Sequence, residues 1–177
     1  MQPGSLIGSD KGAREGTPED IRRAWTVLET VMDPEVPVVS VVDLGIVRQL
    51  SWQHGHLHAV VTPTYSGCPA TEFIEQTIKE ALQQSGFDEP VLEQSLNPAW
   101  TTDWITDKGR EQLREFGIAP PVGRASKRTL LSPDEQVSCP HCGSKHTERI
   151  SEFGSTACKA LYRCNDCLEP FDYFKCI

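Results

Sequence analysis

Thr62-Pro63-Thr64-Tyr65-Ser66-Gly67-Cys68-Pro69 is the stretch on which the reading of this chain turns. The apolar run from Leu57 to Val61 leads into it as a strand, and a segment of helical periodicity leaves it. The turn therefore sets one cysteine where a strand hands over to a helix. Pro69 suits a first helical position, where its missing N–H has no intrahelical partner to lose. Cys68 is then expected at or just before the helix N-terminus, facing unpaired N–H groups and the positive end of the dipole. Such a position favours the thiolate, the form of cysteine that attacks electrophiles and binds metal. The alternative makes Cys68 a small buried hydrophobe. A loop between regular elements weighs toward function.

Downstream, Phe73, Ile74, Thr77, Ile78, Ala81 and Leu82 form an apolar helix stripe, Gly86 is its natural stop, and Val91 to Leu96 reads as a third strand. Upstream, Ile46 to Trp52 suits a strand, with Gln53-His54-Gly55-His56 as a hairpin turn. His54, His56 and His58 alternate but have no thiolate or carboxylate at ligand spacing, so they read as a solvated face. Thr17-Pro18-Glu19-Asp20 starts a helix with Ile21, Ala24, Trp25, Leu28, Val31 and Met32 inward, ended by Asp33-Pro34. Helix, hairpin, helix and strand in that order predict an α/β (α+β) domain, a small mixed sheet covered by helices. Asn97-Pro98-Ala99-Trp100 closes it, and Thr102 is expected to cap a further helix carrying Trp104, Ile105, Leu113 and Phe116 up to Gly117. Trp100 and Trp104 read as anchors of that helix, since aromatics bury large areas. The domain spans 17–121. Residues 1–16, with four glycines, are expected to be a disordered tail, and 122–135 a linker.

Residues 136–177 are a different kind of object. Cys139-Pro140-His141-Cys142 and Cys164-Asn165-Asp166-Cys167 are two C-x-x-C pairs separated by 21 residues, able to give four sulfurs to a tetrahedral Zn²⁺. This predicts a small C-terminal zinc-ribbon-like metal module. A segment of 42 residues cannot bury enough apolar surface to fold comfortably alone, so a structural metal is expected to stabilise it. Cys158 and Cys176 read as packing residues of the module's strands. The other reading makes some of the six C-terminal cysteines ligands of an iron–sulfur cluster.

The totals narrow the function class. A net charge of -8 argues against a nucleic-acid binder, and the module, with five basic and five acidic residues, is not the basic ribbon that would grip DNA or RNA. No apolar run reaches transmembrane length, and the first residues lack the basic start and apolar core of a secretory signal. Seven cysteines, four of them in C-x-x-C pairs, fit metal binding better than a disulfide framework, so a cytoplasmic protein is expected.

Asp33-Pro34-Glu35, Asp43-Leu44-Gly45, Thr62-Pro63-Thr64 and Gly67-Cys68-Pro69 together resemble the metal–sulfur-cluster assembly domain family, over residues 17 to about 98. Three further stretches are similar to the accessory-protein family of phenylacetate degradation, PaaD/PaaJ. They are Pro98-Ala99-Trp100-Thr101-Thr102-Asp103-Trp104-Ile105, Phe116-Gly117-Ile118-Ala119-Pro120-Pro121, and Glu169-Pro170-Phe171-Asp172-Tyr173-Phe174-Lys175-Cys176. The resemblance implies an accessory or maturation factor in aerobic phenylacetate catabolism, in which a di-iron oxygenase epoxidises phenylacetyl-CoA and a flavin and [2Fe–2S] reductase supplies it. It implies Cys68 as the working thiol, with Asp33, Glu35, Asp43 and Thr64 around it, and a bound or transient iron–sulfur cluster. Implied partners are the epoxidase components, especially the reductase, and the iron–sulfur assembly machinery; a thiolate site shared by two chains would favour a homodimer. Two other functions stay open: a structural oxygenase subunit, and an enzyme with Cys68 as nucleophile or redox centre. The chain lacks the Glu-x-x-His pairs of a di-iron site and a glycine-rich dinucleotide fingerprint, which weighs against a catalytic oxygenase role. Its five histidines lie in the hairpin or the module, which leaves Cys68 no obvious base.

Overall fold

The computed structural model describes residues 15–122 and 136–175. The expected tail up to residue 14, the linker from 123 to 135, and Cys176 lie outside the described residues.

Helix α1 (Pro18–Leu28) starts as its residues dictate. The Thr17 hydroxyl accepts from the Asp20 N–H, and the Asp20 carboxylate accepts from the Thr17 N–H at 3.0 Å, a reciprocal cap. The helix stops at Leu28, before the expected Asp33-Pro34 break. The backbone there is drawn into other pairings: Val41 N–H donates to Val31 O at 2.9 Å, and Met32 bridges Ser40. Val31 is buried by this change of direction, while Met32 stays exposed.

Strand β1 (Val47–Gln53) pairs antiparallel with β2 (His56–Val61) through a two-residue turn. His54 and Gly55 both take positive φ there, 50° and 84°, as the twist of a tight hairpin requires. After α2 (Thr71–Gln84) crosses over, β3 (Val91–Gln94) joins β2 in parallel. The sheet is thus mixed, in the order β1-β2-β3. Leu57, Ala59 and Val61 of β2 are buried. Leu57 and Val61 share one core with Ile74, Ile78 and Leu82 of α2 and Ala24 and Leu28 of α1. Phe73 shares the periodicity of α2 but stands at the edge of its stripe, exposed.

The segment after the sheet departs from the expected single helix. Thr102–Trp104 is a 3₁₀ turn, Ile105 is extended, and α3 (Asp107–Glu115) begins afresh with Thr106 as its cap. The physical reason is Asp43. Its carboxylate accepts from the Thr106 hydroxyl at 2.7 Å and from Lys108 Nζ at 2.9 Å, so the chain is tied down where the new helix begins. Thr106 Oγ1 in turn accepts the Gly109 N–H at 3.0 Å.

A second, four-stranded sheet joins the two parts of the chain. Strands β5 (Thr147–Ser151), β6 (Lys159–Cys164) and β7 (Pro170–Phe174) form the ribbon, and β4 (Ile118–Ala119), just before the linker, adds to β7 in parallel. Cys158 and Phe174 of the ribbon are buried in the main core. Trp100 meets Phe174 edge-on, with centroids 6.0 Å apart, and donates its indole N–H to Leu44 O at 2.9 Å. Trp100 therefore pins the ribbon, the 97–100 segment and the Leu44 loop together. Trp100→Ala should cost about 3–5 kcal/mol, because it empties a filled site and orphans a buried carbonyl. A thermal melt with zinc analysis checks this: the first transition should fall sharply while the ribbon keeps its metal. No helix among the described residues is long and apolar enough to cross a membrane.

Candidate functional site

The ribbon presents its four C-x-x-C sulfurs as one group. Each knuckle is closed by its own backbone: Gly143 N–H donates to Cys139 O at 2.9 Å with Gly143 at φ +76°, and Cys164 N–H donates to Glu169 O at 3.0 Å. The hairpins β5–β6 and β6–β7 bring the knuckles face to face. Cys139, Cys142, Cys164 and Cys167 have all their sulfurs within 4.8 Å of one another; Cys139–Cys167 is 3.7 Å and Cys142–Cys164 is 3.5 Å. Four sulfurs at about 2.3 Å from a tetrahedral Zn²⁺ stand about 3.8 Å apart, so the donor set fits that ion. The Cys167 and Asp166 backbone N–H groups hold the Cys164 thiol down to about 6 against the effect of burial. The Glu169 N–H draws the Cys167 thiol down, but burial and its neighbouring thiols win and push it up to about 12. A divalent metal offsets the mutual repulsion of thiolates held this close. Cys158 lies outside this group.

A second site gathers around Cys68. The turn places the thiol, half-buried, two residues further from the helix than the sequence suggests: Pro69 and Ala70 extend the turn, and α2 begins at Thr71. The competing pull comes from Cys68 itself. Its carbonyl accepts from the Thr71 N–H at 3.2 Å and from the Thr71 hydroxyl at 2.9 Å, which closes a turn before the helix can start. Thr62 and Thr64 are buried beside this loop in sequence. Tyr65 packs against the main core, and burial, then negative charge at Cys68 and Glu35, push its phenol up to about 12.

Glu35 comes from a loop that Asp33 shapes. Asp33 is buried, and its Oδ1 accepts from the Glu35 N–H at 2.8 Å and the Val36 N–H at 2.9 Å. Burial raises its pKa against these two bonds. Glu35 then faces the ribbon: the Cys158 thiol lies 3.6 Å from Glu35 Oε2, and Lys159 Nζ lies 3.4 Å from Glu35 O. Burial, and after it the Glu35 carboxylate, push the Cys158 thiol up to about 11, although Thr156 pulls it the other way. Tyr65 feels the charges of both Cys68 and Glu35, and Asp33 holds the backbone of the Glu35 loop. Tyr65 and Cys158 join them as residues that sequence reasoning does not assign to this site. Tyr65 stands in plain view three residues before Cys68; nothing local points from Cys158 to residues 33–36.

Asp43 is engaged elsewhere, with Thr106, Lys108 and Ser40. Its neighbours complete one fastening: Leu44 O holds Trp100, and a Cβ on Gly45, at φ +70°, would stand 2.6 Å from Trp104 Cβ. Burial raises the Asp43 pKa, but the bonds from Lys108, Thr106 and Ser40 outweigh it, and the net shift is downward. A depressed carboxylate adds stability that is complete above its ordinary value of 3.8 and is lost as pH falls through the lower folded value. Asp43→Asn should therefore cost about 1–3 kcal/mol at neutral pH, and its stability curve should converge on that of the native chain in acid. Denaturant melts at stepped pH check this; parallel curves would contradict it.

Comparison with known proteins identifies the family of each part of the chain. Residues 123–175 match the PaaD zinc beta ribbon domain, and residues 21–91 match the iron-sulfur cluster assembly protein family. The chain is 52% identical over 160 residues to a protein of Escherichia coli (strain K12) described as a putative component of 1,2-phenylacetyl-CoA epoxidase, covering 90% of this chain and 95% of that one. It is 30% identical over 99 residues to an Fe-S protein maturation auxiliary factor of Porphyromonas gingivalis, covering 55% of this chain and 90% of that one. In fold, it is similar to a domain of unknown function (DUF59) from Bacillus anthracis, with a TM-score of 0.51 at 24% identity, over 54% of this chain and 92% of that one. With an assembly-type α/β domain followed by this ribbon, the chain belongs to the PaaD family.

Proposed function

We propose that this protein is a maturation factor in aerobic phenylacetate catabolism, assisting assembly of the iron–sulfur or iron centre of the phenylacetyl-CoA epoxidase and its reductase. The observation that carries the reading is the Cys68 loop: a half-buried thiol, outside regular structure, next to the Tyr65 phenol. A thiolate suits iron in transit, because soft sulfur binds it and a loop outside the regular elements can release it. Asp33 and Thr64 support the two loops, Asp43 holds the frame behind them, and the ribbon carries a structural Zn²⁺ on Cys139, Cys142, Cys164 and Cys167. The relative named as an Fe-S protein maturation auxiliary factor supports the assembly role, and the relative named as an epoxidase component supports the client. Clients are the epoxidase components, the [2Fe–2S] reductase foremost, with the iron–sulfur assembly machinery as donor, in the cytoplasm.

A second reading follows from that same name: a non-catalytic oxygenase subunit. Epoxidase and reductase purified from cells lacking this protein separate the two. On the maturation reading, adding the pure protein without iron or sulfide leaves turnover low. Restoration by the protein alone, with co-purification at fixed stoichiometry, would establish the subunit reading instead.

A further inference from the structure

The four-sulfur group of the ribbon is unevenly covered. Cys139 and Cys164 are buried, Cys167 is half-buried, and Cys142 is exposed. The first knuckle runs on from Cys142 through Gly143 to Ser144, and the second carries Asp166 between Cys164 and Cys167. Those two residues meet across 22 positions of sequence: the Ser144 hydroxyl donates to Asp166 Oδ2. His146 takes the other carboxylate oxygen, with Nδ1 3.2 Å from Asp166 Oδ1. An ionised carboxylate only accepts, so that ring nitrogen carries the proton. The backbone repeats the tie. His146 N–H donates to Ser144 Oγ at 2.9 Å, Asn165 N–H to His146 O at 2.8 Å, and Cys139 N–H to Ser144 O at 2.8 Å. Asp166 also reaches a metal ligand from its own main chain. Its N–H is directed at Cys164 Sγ together with that of Cys167, whose nitrogen stands 3.5 Å from the sulfur.

We propose that Asp166, gripped by Ser144 and His146, is a positioning residue that clamps the two knuckles together and sets how slowly the ribbon releases Zn²⁺. Each knuckle supplies two of the four sulfurs, so an ion leaves only as one knuckle lets go of it. The clamp opposes that separation two residues from Cys142, the ligand most open to solvent and to a competing chelator. As an ion pair it is weak: His146 and Asp166 are 72% and 55% exposed, and screened pairs of this kind contribute little. Its leverage comes from position. Groups that orient metal ligands from outside change metal affinity by about 10–100-fold, and exposure places this one near the lower end. The clamp makes the ribbon's ion a resident one. This holds whether or not Cys68 carries iron, since it concerns the ribbon alone.

The test follows transfer of Zn²⁺ from the loaded full chain to an excess of the chromogenic chelator 4-(2-pyridylazo)resorcinol. Asp166→Ala should release zinc about tenfold faster than the native chain, and Ser144→Ala should accelerate release by a smaller factor. Asp166→Asn keeps an acceptor for the Ser144 hydroxyl and should fall between the native chain and Asp166→Ala. The double variant Ser144→Ala with Asp166→Ala should fall well short of the product of the single effects, because the two residues share one bond. Loaded with Co²⁺ instead, every variant should keep the absorption of the native four-sulfur site, since no ligand is altered. Should Asp166→Ala fail to fold, Asp166→Asn and Ser144→Ala carry the test. Native release rates in Ser144→Ala and in the folded Asp166 variants would overturn the inference. So would fully multiplicative effects in the double variant, a changed Co²⁺ spectrum, or a native chain that holds no zinc.

Discussion

Stripping the ribbon of its metal should unfold residues 136–175 and weaken the α/β domain along with them. The core on which the ribbon closes is slight: Val137, Cys139, Ala160, Cys164, Phe171 and Tyr173, two of which are metal-binding cysteines, with Ala119 of β4. Burial of so few side chains cannot offset the cost of ordering the segment. A structural Zn²⁺ contributes about 10–16 kcal/mol of apparent binding free energy, which decides whether the module folds. The effect should spread, since Cys158 and Phe174 belong to the main core and β4 pairs with β7. We expect about one Zn²⁺ per chain, loss of ribbon structure by circular dichroism on chelation, and a lower melting point for what remains. Cys164→Ser should reproduce this, because Cys164 is fully buried at the centre of the group. A folded, metal-free ribbon would contradict it. Brown protein with labile sulfide, abolished by Cys164→Ser, would assign the four sulfurs to an iron–sulfur cluster instead.

Cys68→Ser should give the opposite pattern, with structure intact and function gone. The substitution exchanges sulfur for a near-isosteric oxygen in a half-buried loop, so stability should change by only about 1 kcal/mol. The backbone contacts of the turn, Cys68 N–H to Tyr65 O and Thr71 to Cys68 O, do not involve the sulfur and survive. Iron delivery should fail, since a serine hydroxyl is not ionised near neutral pH and is a poor ligand for iron–sulfur chemistry. Growth on phenylacetate with plasmid-borne Cys68→Ser is the check. Normal growth would return Cys68 to the status of a packing residue.

Much of this architecture is legible in local sequence. Thr17 with Asp20, the His54-Gly55 turn, the Ile74-Ile78-Leu82 stripe and the paired C-x-x-C knuckles each announce themselves within a few residues, because capping, turn geometry and metal spacing are local physics. Where several local signals compete, the structure departs from the simplest one. Pro69 has the features of a first helical residue, but the Cys68 carbonyl captures Thr71 and postpones α2. Thr102 has those of a cap, but Asp43 selects Thr106, 63 residues away in sequence. The Cys68 surroundings are half legible. Tyr65 sits in the same turn, whereas the Cys158–Glu35 contact spans 123 residues and forms where the ribbon packs against the α/β core. No periodicity encodes such a contact.

The central claim is that this protein supplies metal centres to others. The direct measurement is the iron and acid-labile sulfide content of epoxidase and reductase purified from cells with and without it. On this account the polypeptides accumulate in both, while those from cells lacking the protein are metal-poor, with the reductase [2Fe–2S] centre the first to suffer. Equal iron and sulfide in the two preparations, with activity nonetheless lost, would contradict it.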